Sequence, residues 1–90
     1  VKLDDVNIPA GWTLEPNGRE PQYAILSTPA PCSYFTTIDF TARGFRNGGS
    51  YSGLFVGEEW GKRHLRKKYE GRGWKQALVN DAIKHLQALL

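Results

Sequence analysis

The stretch Trp60–Lys75, WGKRHLRKKYEGRGWK, concentrates the residues that could do chemistry in this 90-residue sequence. Lys62, Arg63, Arg66, Lys67, Lys68, Arg72 and Lys75 are interleaved with the aromatics Trp60, Tyr69 and Trp74. Cations neutralise phosphates, and exposed aromatics stack on bases or pack against sugars, so this alternation points to nucleic acid. The run also precedes a segment of helical periodicity. A helix N-terminus carries partial positive charge and is stabilised by Asp or Glu. Seven cations therefore crowd the end where a helix least favours them. Either a solvated loop dilutes their repulsion, or something anionic sits among them.

A second basic point lies in ARGFRNGG, where Arg43 and Arg46 flank Gly44 and Phe45. Two arginines at a hairpin tip can present side chains to a groove, or can cover an apolar edge and pair with nearby acids. Other chemistries find less material. A structural zinc site wants four Cys or His ligands, and the chain offers Cys32, His64 and His85. Asp81 and His85 are four apart, the spacing of a helix surface pair. Cys32, beside Pro31, reads as a small apolar residue more readily than as a nucleophile. No phosphate-loop, dinucleotide or nucleophile-elbow pattern is present. The expectation is a non-catalytic protein with no metal, no cofactor and no small-molecule substrate.

Charge is divided along the chain. Residues 1–60 hold four cations against seven acids, net −3, and residues 61–90 hold eight cations against two acids, net +6. That asymmetry favours a polyanion or an acidic protein surface as partner. A 40% hydrophobic and 12% aromatic content supports a packed core in one small domain spanning residues 1–90. One cysteine precludes an internal disulfide and suits a reducing compartment, so a cytoplasmic location is expected. No apolar run approaches the roughly 20 residues of a membrane span, and no signal-peptide pattern opens the sequence.

The elements that must position these residues follow from periodicity and turn signals. Pro9, Gly11, Pro16 and Gly18 exclude a long helix near the start. Residues 12–15 and 22–28 read as a hairpin turned at Asn17-Gly18. Residues 34–42 alternate, with Tyr34, Thr36, Ile38 and Phe40 on one face and Phe35, Thr37, Asp39 and Thr41 on the other. Arg43 to Gly53 reads as a glycine-rich turn, returning as a strand over 51–57 paired with 34–42. Residues 61–73 form a basic loop in which Leu65 and Tyr69 could share a short helical turn. From Trp74 the period becomes helical, with Trp74, Leu78, Ala82, Ile83, Leu86, Leu89 and Leu90 on one side of a helix over 74–89. The fold class is α+β, a three- to five-stranded antiparallel sheet packed against one C-terminal helix.

The segment YEGRGWKQALVNDAIKHLQALL is similar to the last element of double-stranded RNA-binding domains. There a glycine-containing turn and lysines at a helix N-terminus meet phosphates. Gly71, Gly73 and Lys75 match that pattern, and Ala77 and Ala82 suit the helix. The opening helix of that family has no counterpart here. The order of strands followed by one helix resembles the arm-type DNA-binding domains of phage integrases and related plant transcription factors. The combination ARGFRNGG…GRGWKQAL also resembles small proteins of phages and prophages.

Two functions are expected in consequence. In the first, a DNA- or RNA-binding module uses Lys62, Arg63, Arg66, Lys67, Lys68, Arg72 and Lys75 on phosphates, with Arg43 and Arg46 as secondary contacts and the helix N-terminus adding backbone donors. In the second, a small interaction protein or inhibitor docks the basic loop on an acidic protein surface.

Overall fold

A computed structural model describes residues 3–19, 22–31, 34–47, 55–56, 59–60 and 69–90. Six strands run in chain order through one antiparallel sheet: β1 (Thr13–Pro16), β2 (Tyr23–Ser27), β3 (Phe35–Asp39), β4 (Gly44–Asn47), β5 (Phe55–Val56) and β6 (Glu59–Trp60). The helix α1 (Trp74–Gln87) follows. The first four strands carry four or five residues each and form the body of the sheet, while β5 and β6 contribute two residues apiece. This is the expected α+β plan, a meander with one C-terminal helix among the described residues.

The first hairpin pairs Thr13 with Ser27 and Pro16 with Ala24. Its turn is closed by Asn17, whose N–H donates to the Tyr23 carbonyl at 2.9 Å while its side-chain oxygen accepts from the Arg19 N–H at 2.9 Å. An Asn side chain standing in for a backbone turn is the reason Asn marks such positions. At the other end of β2, the Thr28 N–H donates to the Tyr34 carbonyl and the Tyr34 N–H donates to Thr28 Oγ1, closing the connection to β3.

The stretch following β3 departs from expectation. Gly44–Asn47 is not part of a turn but a strand, and it pairs with β3 in the register Thr36↔Asn47 through Asp39↔Gly44. The reversal is made by residues 40–43. Asp39 Oδ1 accepts from the Thr41 and Ala42 N–H groups, both at 2.9 Å, and Arg43 takes a left-handed φ of 56°. An Asx-type turn thus replaces the glycine turn, one arginine bearing the conformation usually left to glycine. Gly44, Gly48 and Gly49 are the stronger compositional turn signal, but Asp39 does the turning. The partner of β3 is accordingly β4. Of the strand expected over 51–57, Phe55–Val56 is present as β5, and residues 51–54 and 57 lie outside the described residues.

Alternation decides the layers. Ala24, Leu26, Thr36, Ile38 and Phe45 are buried on the helix side of the sheet, with Phe40 and Tyr69 in the same cluster. Leu78, Val79, Ala82, Ile83 and Leu86 close it from the helix. Ile25 and Phe35, on the far side of β2 and β3, remain 39% and 42% exposed because no described element covers that face. Leu3, Val6, Ile8, Trp12, Leu14 and Trp74 pack around the rim of the core. Gly11 lets the N-terminal segment reach that rim. Its φ is +86°, and a Cβ there would stand 3.3 Å from Pro29. No described helix is long and apolar enough to cross a membrane.

Candidate nucleic-acid interface

The helix begins without the usual help. Its N-cap is Gly73, in the left-handed conformation with φ 83° and no side chain to cap with, and its first turn holds no acid. Gly71 is likewise left-handed, with φ 80°. These two φ values explain both glycines, since L-residues with a side chain rarely occupy that region. The Ala77 N–H donates to the Gly73 carbonyl, while Trp74 N–H reaches back to Gly71. At the opposite end, Lys84 and His85 sit in the last turn, where positive charge is favourable. The unfavourable charges are therefore confined to the start.

Three of the expected cations converge there. Arg43, delivered by the β3–β4 turn, donates from Nη1 to the Tyr69 carbonyl at 2.8 Å. Its guanidinium also lies over the Trp74 ring, 4.2 Å from the centroid, a cation–π contact typically worth about 0.5–2 kcal/mol. Arg72 is exposed between the two left-handed glycines. Lys75, in the first turn, bridges Asp5 through Nζ and Oδ1 at 3.1 Å. Arg46 lies in β4 opposite Thr37. Lys62, Arg63, Arg66, Lys67 and Lys68 lie outside the described residues.

The aromatics divide differently from the stacking expectation. Tyr69 is buried, only 2% exposed, and donates its hydroxyl to Asp81 Oδ2 on the second turn of α1. Trp74 is half-buried, meets Phe40 edge-on at a centroid distance of 6.4 Å, and carries Arg43 on its face. Both rings are therefore framework. They fasten the basic segment's last residues to the helix and the sheet. Asp81, which shares helical spacing with His85, takes the Tyr69 hydroxyl, and His85 packs its ring against Phe45 at 5.6 Å.

Burial and the hydrogen bond to Asp81, then the carboxylate's charge, push the Tyr69 phenol well above the ordinary tyrosine value near 10. The folded state thus holds the proton more tightly than the unfolded chain. Its contribution is complete below about pH 10 and is lost as pH rises above that value. Tyr69→Phe should cost about 1–2 kcal/mol at neutral pH by removing a charge-assisted hydrogen bond. It should also flatten the loss of stability as pH rises above about 10. Urea titrations of both proteins across that window decide it, and parallel curves would mean that Tyr69 has no part in the alkaline transition.

No local pattern marks the N-terminal residues that meet this site. Asp4 and Asp5 form the corner of a turn closed by the Val6 N–H on the Leu3 carbonyl at 3.1 Å. Gln76 then holds the following residue at both ends. Its Oε1 accepts from the Asn7 N–H at 2.7 Å and its Nε2 donates to the Asn7 carbonyl at 2.9 Å. Together Asp5, Val6 and Gly71–Gln76 line an open groove of about 520 Å³ at the helix start. The acid absent from the helix's own first turn comes from a segment 70 residues away in sequence. No protein-family model, curated protein or solved structure matches this chain.

Proposed function

We propose that this protein is a non-catalytic nucleic-acid-binding module whose basic segment and helix N-terminus hold backbone phosphates. The observation that carries the reading is the convergence of Arg43 on Trp74, which brings a cation from the β3–β4 turn beside Arg72 and Lys75. Three cations from two parts of the chain thus gather at a helix start with no acid in its first turn. Helix N-termini present unsatisfied N–H donors to anions. Arg43 uses one face and one nitrogen in the framework, leaving further guanidinium donors for a phosphate. Arg46, Lys62, Arg63, Arg66, Lys67 and Lys68 extend the same charge in sequence.

Phosphate binding of this kind releases counterions, so log affinity must fall linearly with log salt, at about 0.9 per duplex phosphate neutralised and about 0.7 per single-strand phosphate. Fluorescence anisotropy of labelled duplex and single-stranded oligonucleotides in increasing KCl reads that slope directly. A flat dependence or no binding at low salt would remove the reading. The same clustering of Arg43, Arg72 and Lys75 suits a second function, an interaction protein that docks its basic segment on an acidic protein surface. In that case oligonucleotides fail to bind, and association is confined to a protein partner.

A further inference from the structure

We infer that the Leu3–Val6 turn is an autoinhibitory strap, presenting the Asp5 carboxylate to the helix N-terminus in the place a phosphate would take. The inference rests on the phosphate-binding reading and adds its regulation. Asp5 lines the groove formed with Gly71–Gln76 and pairs with Lys75 at 3.1 Å. A carboxylate and a phosphate make the same demands on such a place: negative charge, oxygen acceptors and an ammonium partner.

The strap is latched rather than merely adjacent. Gln76, one residue beyond Lys75, grips both backbone polar groups of Asn7. Val6 and Ile8 tie the segment to the core rim, so Asp4 and Asp5 can swing away without the segment detaching. The ion pair is unequal in exposure, with the Lys75 side chain 20% exposed and that of Asp5 75% exposed. A pair so open to water is weak. It can therefore be displaced by a polyanion, which engages several cations at once, while a lone anion contends with the resident carboxylate. The strap tunes affinity instead of abolishing it.

The test uses a fluorescein-labelled duplex oligonucleotide, and the single strand of the same sequence, at low KCl. Asp5→Asn is expected to bind about two- to fivefold more tightly than wild type, the range set by one exposed ion pair. Gln76→Ala, which changes no charge, should tighten binding in the same direction by loosening the latch. Glu15→Gln, equal to Asp5→Asn in charge but placed on β1, should give a smaller change. In a Lys75→Gln background the gain from Asp5→Asn should vanish. An equal gain from Glu15→Gln, a gain that survives Lys75→Gln, or no gain from Gln76→Ala would overturn the strap and leave phosphate binding standing. Absence of binding by every variant would overturn both.

Discussion

Replacing Lys67, Lys68, Arg72 and Lys75 together by Gln is expected to lower oligonucleotide affinity by about 100-fold or more at low salt. The estimate follows from counterion release: each lost contact removes about 0.7–0.9 from the slope of log affinity on log salt, so at about 0.05 M salt four contacts together account for more than two decades of affinity. The salt slope should fall at the same time, by about 0.7–0.9 for each contact removed. A general loss of attraction would also weaken binding, since the substitution takes the net charge from +3 to −1. Neutralising Arg19 and Lys84 provides the contrast. Both are exposed, the first in the β1–β2 turn and the second near the end of the helix, away from the groove. Their replacement should shift affinity far less per charge and leave the slope nearly unchanged.

Stability should move little in the quadruple variant. Loss of positive charge near the helix start favours folding by about 0.3–1 kcal/mol per well-placed site. Loss of the Asp5–Lys75 bridge opposes that by about 0–1 kcal/mol, since exposed ion pairs contribute weakly. Thermal melts then separate two origins for the cluster. Binding lost at unchanged stability marks residues kept for a ligand. Stability lost with no change in salt slope would make the cluster structural.

Leu86→Ala is the substitution with the largest expected effect on folding. Leu86 is fully buried in the last full turn of α1 and joins the helix face to the sheet cluster. Truncation removes its transfer free energy and leaves a cavity, which together cost about 2–5 kcal/mol. Domains hold only about 5–15 kcal/mol in all, so the loss is a large share. In urea the midpoint should fall steeply while the slope of the transition changes little. Leu90→Ala is the matched comparison, because Leu90 is 65% exposed and its truncation should stay within about 0.5 kcal/mol. Equal melting of the two variants would mean that the helix does not seal the core.

Much of the framework follows from local pattern. The period-2 alternation of residues 34–42 assigns Tyr34, Thr36, Ile38 and Phe40 to one face; the last three are buried, and Tyr34, ahead of the strand, stays 40% exposed. The 3.6-residue spacing after Trp74 assigns Leu78, Ala82, Ile83, Leu86, Leu89 and Leu90 to one face; the first four are buried, with Val79 beside them, whereas Leu89 and Leu90 lie past the helix end at Gln87 and are exposed. These patterns are readable because each strand or helix must bury one face, whatever its partner. Asn17-Gly18 likewise marks the first hairpin, because the Asn side chain makes its turn contact within two residues.

The site depended on contacts that no local pattern encodes. Composition and spacing determined a basic run ahead of a helix with no acid in its first turn. They did not determine that Tyr69 and Trp74 serve as framework, because burial is set by what packs against a ring and not by the ring's neighbours in sequence. The β3–β4 turn was misplaced for a related reason: Asp39 turns the chain through its side chain, and the glycines nearby are a stronger compositional signal than one aspartate. Only the tertiary structure brought Arg43 onto Trp74 and Asp5 onto Lys75, the latter pair 70 positions apart. Charges so distant in sequence meet because the sheet and helix, each folding to bury its apolar face, carry their ends to the same place.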